Sequence, residues 1–214
     1  MDIFTVSAIR PIRDYMTISR DAHLGITNKV TWFSMGKNTA ISQECYDHST
    51  IYMVNDGEGV FVIGIDGDKV VANKGDIVFI EPGTLLGVET RSGVIFTEII
   101  NLEAIKMTEK IVPGEIFALK NLIDYEDGSI SNLDLASNGT FKYVLMAFDE
   151  GTGLTPHRAP GNAVVFALEG KAIIGYEGLD YEIHEGQCFR FEKNGLHSVT
   201  AKGRFKMALL LVLE

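Results

Sequence analysis

The chain of 214 residues holds 29 acidic against 19 basic residues, a net charge of −10, and 46% of it is hydrophobic. That length allows one large domain or two small ones around a substantial core. The acidity, uninterrupted by any Lys/Arg cluster, argues against nucleic acid or an anionic membrane as a partner.

Cys45 and Cys188 stand far apart with no CxxC pair, the pattern of two reduced thiols rather than a disulfide framework. The first residues, MDIFTVSAIRPIRDYM, show no basic start followed by an apolar block, so no secretory signal is expected. No apolar run approaches the ~20 residues that cross a bilayer. A cytoplasmic location is the expectation, with no membrane association.

Taken in chain order, the first half offers the short apolar runs VFVIGI, KVVAN, GDIVFI and VIFTEII. The segment LEAIKMTEKIV (102–112) is the one helix candidate. Pro113-Gly114 ends it, and a linking strand is the alternative. FKYVLMAF, AVVFAL, KAIIGY, CFRF and KMALLLVL follow in the second half. Runs of this length, rich in Val, Ile, Phe and Tyr and bounded by turn residues, predict strands of an all-β sandwich or barrel. Ile65-Asp66-Gly67-Asp68 and Tyr176-Glu177-Gly178-Leu179 read as hairpin turns, and Asn138-Gly139 as another.

The two halves repeat. Shifted by 111 residues without a gap, Gly59, Gly64, Gly67 and Gly75 fall on Gly170, Gly175, Gly178 and Gly186. Met35 then meets Met146 and Glu81 meets Glu192. Two copies of one domain are expected, 1–110 and 111–214.

The second copy resembles the cupin superfamily. The family's first motif is written loosely G-x5-H-x-H-x(3,4)-E-x6-G and its second G-x5-P-x-G-x2-H-x3-N. Gly151, His157 and Gly170 fit the first, and Gly186 and His197 the second. The resemblance covers both halves and implies two tandem cupin-type jelly-roll β-barrels, a bicupin. It departs from the family where three histidines and a glutamate would hold a divalent metal. Ala159 stands at the second histidine position, Ala163 at the glutamate position and Ala201 at the asparagine position. At the same shift the first copy offers Tyr46, His48, Tyr52 and Leu86 in place of the ligands, so its metal motif is lost.

His157 and His197 are therefore the candidate metal ligands, of Zn, Fe, Ni or Mn, and Asn162 or Glu192 the candidates to complete a ligand-binding set. Two imidazoles alone bind such ions weakly, since protein sites use three or four ligands. Without metal the pair could serve as general acid or base, hydrogen-bond an organic ligand, or simply bond to each other inside the barrel. The leading expectation is a bicupin that binds a small molecule, a sugar-derived or carboxylate metabolite. The alternatives are a metal-dependent isomerase or dioxygenase with an unusual ligand set, and a non-catalytic sensor or assembly protein. Cupins commonly form homodimers, and the resemblance implies one here. Cys188 is expected to be a buried thiol, and His23 and His184 surface residues.

Overall fold

The computed structural model describes residues 3–214. They form two compact β units that exchange short segments of chain. One unit holds Val6–Ile105 and Glu109–Ala118. The other holds residues up to Thr5, Lys106–Thr108 and Leu119–Glu214.

In the N-terminal unit a one-turn helix, α1 (Val6–Ile9), precedes β1 (Thr17–Asp21), β2 (Asn28–Met35), β3 (Thr39–Cys45), β4 (Ser49–Ile63), β5 (Asp68–Asn73), β6 (Asp76–Ile80), β7 (Leu85–Thr90) and β8 (Val94–Asn101). The helix candidate 102–112 forms no helix. It contributes only the two-residue strand β9 (Lys106–Met107), which pairs in the C-terminal unit, and β10 (Ile116–Ala118) then returns to the N-terminal unit. All pairing is antiparallel. The strands run in the order β1-β2-β8-β4-β6-β10, with β5 and β7 also on β4 and β3 on β7.

The C-terminal unit repeats this plan with β11 (Ile130–Ser137), β12 (Phe141–Phe148), β13 (Gly153–Arg158), β14 (Asn162–Tyr176), β15 (Leu179–His184), β16 (Cys188–Phe191) and β17 (Leu196–Val212), plus a single 3-10 turn at Leu119–Asn121. Here β15-β14-β17-β12-β11-β9 is the order, with β16 on β14 and β13 on β17. The arrangement is all-β, as the short punctuated runs predict, and forms two tandem cupin-type jelly-roll barrels, as the resemblance implies.

Each barrel turns its corner on one long strand. The first half of β4 pairs β6 and β8 while its second half pairs β5 and β7. The ladder slips between Val54 and Asp56, and Gly57 follows with φ of 75°. A Cβ on Gly57 would collide with the Gly93 carbonyl oxygen, so only glycine admits the crossing strand. The C-terminal barrel repeats the device at Gly170, φ 72°, whose missing Cβ makes room for the Arg204 carbonyl oxygen.

Alternation along the strands fills the interiors. Met35, Phe61, Val94 and Phe96 close one core, and Phe148, Phe189, Phe191, Phe205 and Met207 the other. Each such phenylalanine contributes about 1.5–3 kcal/mol by leaving water. No helix among the described residues is long and apolar enough to cross a membrane.

Candidate functional site

The sequence TPHRAPGNA places Pro156 inside β13, where a proline cannot donate to the ladder. The structure resolves this with a β-bulge between Leu154 and His157, after which pairing with β17 resumes and sets His157 opposite His197. The two imidazole centroids are 4.2 Å apart, inclined at 53°. His157 is exposed and His197 is 7% exposed, so the pair spans the edge between solvent and barrel interior.

Their hydrogen bonds fix the tautomers. His157 Nδ1 lies 2.8 Å from the Thr155 carbonyl oxygen and His197 Nδ1 3.2 Å from that of Gly195. A carbonyl only accepts, so each Nδ1 carries the proton and each neutral ring keeps a lone pair on Nε2. The loop that presents His197 is held by Asn194, at φ 68°, whose N–H donates to the Ala159 carbonyl. The Ala159 N–H in turn donates to that of Gly195. Phe191 stacks on His197 with centroids 4.1 Å apart. Burial holds the His197 pKa below the usual imidazole value. The Gly195 carbonyl opposes the shift, and the neighbouring His157 adds to it.

The structure brings His157 and His197 together, while the other candidates are engaged elsewhere. Glu192 pairs with Arg190 at 2.9 Å, and the Asn162 side-chain oxygen accepts the Lys193 N–H at 3.1 Å. Arg158 donates to the Asn194 carbonyl at 2.6 Å. Ala159 and Ala163 are both 2% exposed and pack in the core with Phe189, Phe191 and Phe205. Among the described residues no three His, Cys, Asp or Glu side chains converge as a metal site would require. The donor set does not fit the divalent metal that the cupin resemblance implies. Cys188 is buried, and His23 and His184 are exposed, as the sequence suggests.

The N-terminal barrel corrects the alignment of the two copies. His157 faces His197 across β13 and β17, and the pair at the same place in β3 and β7 is Glu44 facing Leu86. Glu44, not Tyr46, therefore matches His157. By the same register Tyr46 matches Ala159, Thr50 matches Ala163, and Gly57, not Gly59, matches Gly170. Four turn residues, Gly64–Gly67, join β4 to β5, against two, Glu177 and Gly178, between β14 and β15. The gap lies in that hairpin, so a gapless shift misplaces everything upstream by two residues.

What lies at these positions is a polar cluster that the sequence reading did not single out. The Tyr46 hydroxyl donates to Glu44, which with burial pushes the Tyr46 pKa up to about 12. Across β4 and β8 the buried Tyr52 donates to Glu98 Oε1 at 3.0 Å. Burial raises the Glu98 pKa, against the stabilising hydroxyl of Tyr52. Tyr46, Thr50, Tyr52 and Glu98 line a cavity of about 200 Å³, walled otherwise by Phe33, Leu86, Val88 and Phe96. One signal was legible: Glu98 is the single charge in VIFTEII and shares the inward phase of Phe96.

Comparison with known proteins agrees with the fold. Residues 144–213 match the Cupin domain family model (Cupin_2). A Cupin 2 conserved barrel domain protein from Leptotrichia buccalis superposes with a TM-score of 0.86 at 22% identity, over 99% of this chain and 96% of that one. A salicylate 1,2-dioxygenase from Pseudaminobacter salicylatoxidans gives 0.64 at 13% identity, over 87% of this chain and 71% of that one. A putative glyoxylate-induced protein from Pseudomonas aeruginosa gives 0.67 at 15%, over 98% and 88%. No curated protein matches the chain by sequence. Residues 144–213 thus carry the sequence signature of the Cupin domain family, and the chain as a whole shares the fold of these structures.

Proposed function

We propose that the protein is a bicupin that binds a small organic molecule without a transition metal, and that His157 and His197 contact a sugar-derived or carboxylate ligand at the mouth of the C-terminal barrel. One observation carries the reading: two adjacent imidazoles have both Nδ1 atoms committed to carbonyls, and both Nε2 atoms remain as acceptors. The hydroxyl of a sugar or of a hydroxy-carboxylate donates to such nitrogens. The depressed pKa keeps His197 neutral at physiological pH, in the accepting form. A metal-dependent isomerase or dioxygenase needs a third ligand at this pair, and the described residues supply none.

The test is elemental analysis of protein purified without chelator or affinity tag, beside His157→Ala, followed by NMR titration of the histidine ring signals with gluconate and salicylate. The reading expects far less than one metal per chain in both proteins, and ring-signal shifts for His157 and His197 on titration. About one metal per chain, lost in His157→Ala, would replace it with the metalloenzyme.

A further inference from the structure

The N-terminal barrel holds a site that goes beyond the histidine pair and does not depend on it. Its cavity of about 200 Å³ opens beside the exposed Ser42 and Tyr46 and is walled by Phe33, Phe96, Leu86 and Val88, yet Tyr52 and Glu98 form a polar pair inside it. The fold does not require polarity there. The register positions of Tyr52 and Glu98, opposite one another on β4 and β8, are filled in the C-terminal barrel by Val165 and Leu209, which also face one another. A carboxylate among aromatic rings costs stability unless something pairs with it. Tyr52 supplies one hydrogen bond and no charge.

The neighbouring groups define what is missing. Glu98 is the acidic residue that lines the cavity, Glu44 is bonded to the lining Tyr46, and neither lysine nor arginine lines it. His48, and Lys29 from the exposed face of β2, attract the Glu98 carboxylate across space without a hydrogen bond to it. His48 stacks on Tyr46, with centroids 5.1 Å apart, and its Nδ1 lies 3.2 Å from Asp47 Oδ1. With the proton on Nδ1 donated to Asp47, His48 Nε2 is an acceptor, and that atom is buried without a hydrogen-bond partner. The cavity and its border thus hold acceptors and negative charge, with hydroxyls of Ser42 and Thr50 as the other polar groups.

We propose that the N-terminal barrel binds a small organic cation, a primary ammonium on an apolar body, whose N–H groups are received by Glu98 with His48 Nε2 nearby. The aromatic walls suit both parts, since Phe and Tyr faces attract a cation and bury an apolar ring. A cavity of about 150 Å³ accepts benzene, so this one has room for about six to nine non-hydrogen atoms.

Isothermal titration of the full chain with benzylammonium chloride tests the assignment. Benzoate and benzyl alcohol serve as controls of equal shape, butylammonium as a second cation, and Zn²⁺ as the inorganic alternative. One benzylammonium per chain is expected, with benzoate giving no heat of binding and benzyl alcohol binding weakly. Glu98→Gln, whose circular dichroism is checked against the parent, should weaken benzylammonium at least about ten-fold, because a hydrogen bond to a charged group is lost. Tyr52→Phe should weaken it less. The proposal is overturned if neither ammonium binds at millimolar concentration, or if benzyl alcohol or benzoate matches benzylammonium. Undiminished affinity in a folded Glu98→Gln protein, or saturable binding of Zn²⁺ alone, overturns it equally.

Discussion

His197 is buried against the Phe191 ring, and that burial disfavours its imidazolium even though the Gly195 carbonyl bonded at Nδ1 favours it. In the unfolded chain the same ring titrates near ~6.5. Because the folded value is lower, the unfolded chain binds more protons as the pH falls past that point. The contribution of His197 to stability is therefore complete above the unfolded value and is lost as the pH falls through the folded one. Thermal melts between about pH 8 and about pH 5 should show the parent losing more Tm than His197→Leu, which has no proton to gain. Equal losses in both would assign the acid sensitivity to other groups. The histidine pair itself was legible in the sequence, since each residue stands at a motif position that spacing alone identifies. Glu98 was written there as plainly, one charge at an inward phase of an apolar strand. Periodicity marks such a residue as out of place without saying what surrounds it, and only the pairing of β4 with β8 places Tyr52 opposite.

At the scale of elements, the two barrels differ most tellingly in one hairpin. Glu177 and Gly178 both adopt positive φ, 48° and 84°, the tight two-residue turn that matches the twist of paired strands. The other barrel spends four residues on the same corner, with positive φ at Gly64 and Gly67. Ile65 is 89% exposed and packs on nothing. Register in β4 is set by its buried face against β7 and β8, not by that turn. Deleting Ile65 and Asp66 together should leave Gly64-Gly67 as a competent two-residue turn. The expected result is a folded protein whose Tm lies within about 5 °C of the parent, since a shorter loop costs less to close. A loss of cooperative melting would mean that the longer turn does hold the register. The strands that form apolar runs and both hairpins were readable from composition and glycine placement, whereas β1, β3 and β13, mostly exposed and polar, were not. The correspondence of side chains was not, because four glycines in gapless register concealed a length change lying between them.

For the whole molecule, the repeat marks a divide at residue 110, and the chain crosses it in both directions. Strand β10 pairs with β6, so residues 116–118 complete the N-terminal barrel. In exchange Phe4 bridges to Cys188, with hydrogen bonds of 2.7 and 3.1 Å, and β9 pairs with β11 in the C-terminal barrel. A fragment ending at residue 118 should therefore show sharper amide NMR dispersion and a higher Tm than one ending at 110, which leaves the edge of β6 bare. Identical behaviour would show β10 to be an ornament of the barrel rather than part of it.

The bridge between Phe4 and Cys188 also orders events in time. The segment around Phe4 leaves the ribosome long before the strand of Cys188, at about 5–20 residues per second. The strands from β1 to β8 and then β10 all emerge before that late partner does, so the N-terminal barrel can close while the opening residues still wait. Its cavity forms before Cys188 is made, and the C-terminal barrel gains the Phe4 bridge only after β16 has emerged. A partner so distant in the chain must be found by long-range closure, the kind of contact that slows folding. Nascent chains stalled before Cys188 would carry a finished first barrel, with the bridge to Phe4 still to form.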